Sequence, residues 1–371
     1  MSNLLWLLLI PILFPFIAAA ALKNSINYHE VGIQVVVSVL FVSLSWAIGS
    51  WSATSDREIW NGEVISKSRD HGQYTESYDC NCRSVQSCTG SGSNKSCSSR
   101  QVCDTCYREH YTVTWSADTT VGDFRFKHLD RTSRSVYNSP DPTDYVACQR
   151  GQPASREHSY TNYVQAVPES LFASNESLIK KFAGKIPSQP RVFEHYKYDR
   201  IINDGVIDAE QEKLLNDHLS YALKTMGASH QVNIIVILTK IKDQNFKAAV
   251  ENAWQGGEKN DVVLFIAAND DGTVAWADVM TWALNSGNEM LQVSLRNDLL
   301  DLPAIDAANI GQSAVLNISN HYVRPKMKDY EYLKDAIQPS ILQTVIILIL
   351  SLIISGLLTW FFHKNDVRLF R

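Results

Sequence analysis

Hydrophobic and polar positions divide the chain into two apolar ends and a polar middle. Three apolar runs, at residues 4–21, 31–51 and 341–362, have the length of roughly 20 residues that crosses a bilayer as a helix. The first contains Pro11 and Pro15, carries no charge and ends in four alanines. It is read as a span, with a cleaved signal segment or a membrane-surface hairpin as alternatives. It lacks a positive leading region, and a second apolar run follows at once. The second run closes on Trp51 and the third on Trp360, ring types that favour the membrane interface. Ser351 and Ser355, beside Gly356, offer a small face for close helix packing.

Between these ends the periodicity changes twice. Over residues 52–160 it is strand-like, with β-branched and aromatic stretches at 58–68, 110–118 and 121–130. Turn signals at Asn61-Gly62, 90–96 and 138–142 separate them. Residues 161–196 read as a linker with a short helical piece, apolar at Leu171, Phe172, Leu178 and Phe182. From residue 200 the grammar becomes α/β. Asp208 caps a helix with Leu215, Leu219 and Leu223 on one face, ending at Gly227. Buried strands at 232–240 and 261–270 flank a second helix, and a return strand follows a turn at Asp271-Gly272. Two further helices, a helical stalk at 326–340 and a short tail at 363–371 complete the chain. The fold class expected is a multi-span α-helical membrane anchor bearing a cysteine-rich β module (52–160) and an α/β sandwich (197–325).

Charge excludes one class of partner. A net charge of −5 with scattered basic residues lacks the basic footprint of a nucleic-acid binder. Charge does not orient the anchor: Lys23, His363, Lys364, Arg368 and Arg371 balance Arg324, Lys326, Lys328 and Lys334.

Cysteine usage breaks the tie. Cys80, Cys82, Cys88, Cys97, Cys103 and Cys106 crowd a Ser/Gly-rich stretch, and Cys148 stands apart. Only Cys103-Cys106 has zinc-hook spacing, although His71 and His110 are close enough in sequence to add ligands. Disulfides are the reading, with Zn2+ or a redox-active Cys103-Cys106 pair as alternatives. Six cysteines allow fifteen pairings, and one of the seven must stay odd. Disulfides place the large middle region in the periplasm or outside the cell, with the C-terminus in the cytoplasm; a cytoplasmic middle region is the alternative. Glycosylation sequons stand at Asn94, Asn175 and Asn317. Trp254, Trp276 and Trp282 are read as core or interface rings.

Asn203-Asp204 before GVIDAEQEKLL, the strand VNIIVIL, and the run EKNDVVLFIAANDDGTVAW resemble the TPM domain family, named for thylakoid, periplasmic and membrane proteins. The cysteine segment resembles uncharacterised membrane proteins of large tailed phages. The TPM resemblance implies a membrane-tethered, non-cytosolic domain, and on family precedent Asp204, Asp270 and Asp271 as ligands to a divalent cation such as Ca2+. Asp261 stands where the family has glycine, and AWADVMTWALNSG replaces a glycine-rich continuation. The function expected is non-enzymatic assembly or interaction at the membrane, with a protein partner or a second copy of the chain. A membrane-tethered, cation-dependent phosphatase and a structural component of a phage virion or phage-modified host membrane are the alternatives.

Overall fold

Long apolar runs and strand-like alternation each form the element their period favours. The computed structural model describes residues 2–22, 26–89, 96–164, 176–281, 287–324 and 326–365. Leu171, Phe172, Trp282, Asn94, Asn175, Lys23, Arg368 and Arg371 lie outside the described residues.

The two ends of the chain meet in one bundle. Helix α1 (Ser2–Ala21) packs against α2 (Tyr28–Ala53), and both pack against the last helix (Ile341–Asn365). The second and last, of 26 and 25 residues, are long and apolar enough to cross a membrane. The apolar part of α1, Trp6–Ala21, is shorter. Leu7, Val42 and Ile347 form the bundle's apolar centre. Many of the bundle's other large apolar side chains point outward: Leu13, Leu40, Leu44 and Leu357 are all exposed.

The β module is a four-stranded antiparallel sheet in the order β3-β2-β1-β4. Its strands are β1 (Ser55–Thr89), β2 (Ser96–Thr119), β3 (Phe124–Arg131) and β4 (Pro153–Thr161), with the short helix α3 (Thr143–Ala147) before β4. The first two strand-like stretches of the sequence fall inside β1 and β2; the third, 121–130, begins in the turn before β3 and continues through it. The Asn61-Gly62 turn does not form: both residues lie within β1, paired with β4. Glycine is needed there for a different reason, since a Cβ on Gly62 would come within 1.9 Å of the Thr120 hydroxyl. Two small cores hold the sheet, one around Trp115 and Val113 and one around Val64, Ala117 and Cys148.

The second body follows helix α4 (Glu176–Lys181) and a small hairpin, β5 (Val192–Phe193) with β6 (Lys197–Tyr198). Its sheet has the order β10-β9-β8-β7. Strands β7 (Ile201–Asn203), β8 (Asn233–Thr239) and β9 (Asp261–Ala268) run parallel, and β10 (Val274–Thr281) returns antiparallel. Every residue of β8 and β9 is buried, as expected of strands covered on both faces. Helix α5 (Ala209–His230), capped by the Asp208 carboxylate, covers one face together with α7 (Glu289–Leu300) and α8 (Ala307–His321). Helix α6 (Asn245–Ala253) covers the other, with Phe246, Trp254 and Trp276 in its core. A run of 3-10 turns, Met327–Ala336, leads to the last helix, α9. The fold is thus a mixed α/β protein with long apolar helices and three disulfides.

The two bodies share a tight seam. Helix α5 does not stop at Gly227; it passes through that residue, where a Cβ would lie 1.8 Å from the Asn61 carbonyl oxygen. Only glycine allows the helix to rest directly on the β1 backbone.

Candidate functional site

Three places gather polar chemistry: the stapled end of the β1–β2 ribbon, the seam between the bodies, and the C-terminal edge of the parallel strands.

In the ribbon, strand register selects the cysteine pairing. Cys88 lies opposite Cys97, and Tyr78 opposite Cys106. A shift between Cys80 and Arg83, with Asn81 at φ 48°, brings Cys82 to Cys103. The resulting bridges, Cys80–Cys106, Cys82–Cys103 and Cys88–Cys97, are nested along one ladder. Cys148 is the odd thiol, buried in the module's core, where burial pushes its pKa up. His71 and His110 are occupied elsewhere. His71 stacks on Tyr137; His110 bonds Asp130 at 2.7 Å and Glu76 at 3.0 Å. The Asp130 hydrogen bond, ahead of the other contributions, raises the His110 pKa.

Strand β4 leaves β1 at Glu63, and β3 meets β2 only from Tyr111 onward. The ribbon beyond Tyr74 and His110 is therefore two-stranded, an arm of roughly 50 Å at about 3.3 Å per residue. No described residue from Thr75 to Glu109 is buried. Both outer edges of the arm expose backbone hydrogen-bonding groups, a ready template for another strand.

The seam is built around the buried guanidinium of Arg200. Arg200 is 1% exposed, and its guanidinium donates to Asn233 Oδ1 at 2.5 Å, Asn61 Oδ1 at 2.6 Å, Ser155 Oγ at 3.0 Å and Ser220 Oγ at 3.2 Å. Asn233 passes the charge on, donating to Asp261 Oδ1 at 2.8 Å. Desolvation lowers the Arg200 pKa to about 10, still above neutrality. Nearby, Glu58, 1% exposed, takes both oxygens to Arg324 at 2.7 and 3.0 Å and faces Lys259 at 3.4 Å.

Asp261, the residue that replaces the expected glycine, sits at this seam. It accepts from Asn233, from Gln189 at 3.1 Å and from the Glu258 amide at 2.9 Å. Glu258 itself is buried, and one of its oxygens has no hydrogen-bond partner. Desolvation first, and then the charges of Asp261 and Asp56, hold the Glu258 carboxyl well above the ordinary carboxylate range. A carboxyl whose pKa is higher folded than unfolded keeps its proton in the folded state after the unfolded chain has lost it. Stability is then fully present below about pH 4 and falls as pH rises toward the raised value, by at most about 1.4 kcal/mol per pH unit. Denaturant titrations from mildly acidic to alkaline pH are expected to show this decline, and Glu258→Gln to flatten it. An unchanged slope in that variant would assign the decline to other groups.

The third place is a cleft of about 750 Å3 outside the C-terminal ends of β7 and β8, where open α/β sheets commonly receive ligands. Asn203 shapes its rim: its side-chain oxygen accepts from Val206 N at 2.8 Å, and its amide donates to Ile207 O and Glu212. Asp204 lies on the resulting loop and accepts weakly from the Lys240 amide at 3.5 Å. Asp270 and Asp271 reach the same edge of the sheet from the β9–β10 turn. Each has its own partner: Asp270 takes Lys242 at 3.2 Å, and Asp271 takes the Thr273 hydroxyl and amide. The Thr273 bonds hold the Asp271 carboxyl below its usual range. Among the described residues, no three His, Cys, Asp or Glu side chains converge as a metal set. Calcium takes six to eight oxygens, more than these separately engaged carboxylates bring together. Trp276 and Trp254 are core rings, their indole N–H groups bonded to Ile241 O and Pro187 O at 2.9 Å each.

No family model, no curated protein and no solved structure matches the chain.

Proposed function

We propose that the chain is a membrane-anchored, non-enzymatic assembly protein that presents its stapled arm to a protein partner outside the cytoplasm. The single observation that carries this reading is the arm itself. A two-stranded ribbon with no buried residue among those described has little of its own to pack, yet three bridges hold its shape. Two-stranded ribbons are marginal in water, so a function that needs a fixed shape at a distance accounts for the staples.

Anchoring is supported by the outward apolar faces of α1, α2 and α9 and by aromatic residues at both ends of the bundle. Trp51 is exposed at one end, Tyr28 and Trp360 at the other. Disulfides support an oxidising compartment for both bodies. The three parallel strands with an antiparallel return strand, and the Asn203-Asp204 loop, suit a TPM-like domain that serves as the arm's base.

Photo-crosslinking from the arm tests the reading. A benzophenone amino acid at Val85 or Tyr107, both exposed, is expected to give a discrete adduct in the native membrane. The same probe at Tyr221, on the exposed face of α5, is expected not to give it. Equal yields from all three sites, or none from the arm, would contradict it.

One observation favours a second reading. The cleft edge combines Asp204 with Lys240 and Lys242, a charge pattern that suits a phosphate ester. Turnover of p-nitrophenyl phosphate with calcium or magnesium, lost in Asp204→Ala, would establish the phosphatase instead.

A further inference from the structure

The arm joins the rest of the β module at a cluster of four polar side chains. Strand β3 pairs with β2 only as far as Tyr111, opposite Arg131, so His110 is the first residue of β2 beyond the third strand. There it lies directly across from Tyr74 of β1, and the two rings stack with centroids 4.9 Å apart. His110 Nδ1 stands 2.7 Å from Asp130 Oδ1 on β3, and its Nε2 stands 3.0 Å from Glu76 Oε2 on β1. The Tyr74 hydroxyl donates to the other Asp130 oxygen at 2.6 Å. One imidazole thus ties three strands together at the root of the arm.

Both ring nitrogens face carboxylates, and that fixes the state of the ring. An ionised carboxylate only accepts, so each nitrogen needs a proton, and only the imidazolium carries two. The neutral ring keeps one N–H and turns a lone pair toward the other carboxylate. Asp130 makes the shorter contact and is itself held by Tyr74. The longer contact, to Glu76 on β1, is therefore the one a neutral ring gives up. Asp130 first, through its hydrogen bond, and Glu76 after it raise the His110 pKa above its ordinary value, against the opposing effect of desolvation.

Few other charges surround the ring. On this face β1 contributes Tyr74 and Glu76, β3 contributes Asp130 and His128, and β2 itself contributes Arg108. Arg108 lies across from Glu76 in the ladder but rests over the Tyr78 ring at 4.7 Å. His128 is bonded to the Thr114 hydroxyl at 2.8 Å. Glu109 and Arg131 alternate to the opposite face, where Glu109 accepts from the Tyr111 hydroxyl and Tyr137 packs against that same ring. Among the described residues, His110 is the only ion-pair partner of Glu76 and of Asp130. No second cation takes its place when it discharges.

We propose that this cluster is a pH-sensitive latch at the root of the arm, closed by the His110 imidazolium and released from Glu76 when the ring loses a proton. The proposal rests on the reading of the ribbon as a presented arm, and it adds a regulation to that reading. A histidine whose pKa is higher folded than unfolded contributes stability that is fully present below about pH 6.5 and is lost as pH rises through the raised value. The arm is then stiffest in mild acid and loosens at its root in mild alkali. Freedom at the root is carried along the whole two-stranded length, so the pH of the compartment outside the cytoplasm sets how sharply the arm is aimed.

The test is amide exchange of the full chain in phospholipid nanodiscs at about pH 5.5 and about pH 9, each rate taken relative to the intrinsic rate at that pH. Peptides covering 72–80 and 104–112 are expected to be about two- to fivefold better protected at the acid value, the factor a solvent-accessible ion pair supplies. His110→Gln is expected to give the same protection at both. Glu76→Gln places an amide beside Nε2 that accepts from the charged ring and donates to the neutral one. That variant is expected to keep the higher protection at both pH values, which a merely structural role for Glu76 would not produce. Equal protection of the parent chain at the two pH values, or a difference that survives both variants, overturns the latch. Photo-crosslinking from Val85 at both pH values separates the two levels of the argument. No adduct at either pH contradicts presentation of the arm to a partner, whereas adducts together with pH-independent exchange overturn the latch alone.

Discussion

Arg200→Ala is expected to destabilise the protein by about 3–5 kcal/mol, the range for breaking a buried charged network by removing one member. The guanidinium supplies four side-chain hydrogen bonds, two to each body: Asn61 and Ser155 of the β module, Asn233 and Ser220 of the α/β body. Truncation leaves those acceptors buried with a donor missing, and it leaves Asp261 without the cation that Asn233 relays. The damage should fall on the joint. Each body keeps its own core, one around Trp115 and the other around β8 and β9. Denaturant unfolding of Arg200→Ala is therefore expected to split into two transitions, where the parent protein is expected to unfold its two bodies together. Arg200→Lys should recover little, because an ammonium cannot reproduce the planar fork of the guanidinium. A single transition within about 1 kcal/mol of the parent would show that the seam does not depend on this residue.

Reduction of the three bridges is the second large effect, and it is expected to be local. The nested loops have sequence separations of 26, 21 and 9 residues, and a bridge closing loops of this kind stabilises by roughly 2–4 kcal/mol. Between Thr75 and Glu109 none of the described residues is buried, so little else opposes fraying. Treatment with a phosphine reductant should remove amide protection over 75–109 while the melting of the two bodies stays where it was. The base of the arm should hold, because Tyr74 and His110 both bond Asp130 on β3. Protection of the arm that survives full reduction would show that backbone pairing alone suffices, and the purpose assigned to the staples would fall.

Much of this architecture is legible in the residues, because it follows from pattern. The apolar runs, the strand-like stretches of the module, the Asp208 cap and the continuous apolar strands β8 and β9 each express a local preference. The cysteine pairing is not legible in that way. It follows from a register fixed by the sheet at the other end of the ribbon, and from a one-residue irregularity at Asn81. The seam is hidden for a related reason. Asn61-Gly62 is a strong turn signal by itself, but tertiary contact with α5 keeps the pair extended and turns Asn61 toward Arg200. A lone arginine between Asp199 and Ile201 carries no mark that it will be buried at 1% exposure between the two bodies. Asp204, Asp270 and Asp271 do share one sheet edge, yet sequence does not disclose that Lys242 and Thr273 would engage the last two. The packing of the bundle is half visible. Ser351 and Ser355 mark a packing face on α9, while Ser38 of α2, 3.3 Å from Ser355, joins it only when the two ends of the chain come together.

The proposed function requires a stapled arm held outside the cytoplasm by a bundle that crosses the membrane. Cysteine labelling on intact cells producing the full chain tests this most directly, with a membrane-impermeant maleimide added before and after a membrane-impermeant reductant. The expected result is no label before reduction, and after it label on Cys80, Cys82, Cys88, Cys97, Cys103 and Cys106 but not on buried Cys148. Label that appears without reductant, or appears only once the cells are broken open, would contradict it.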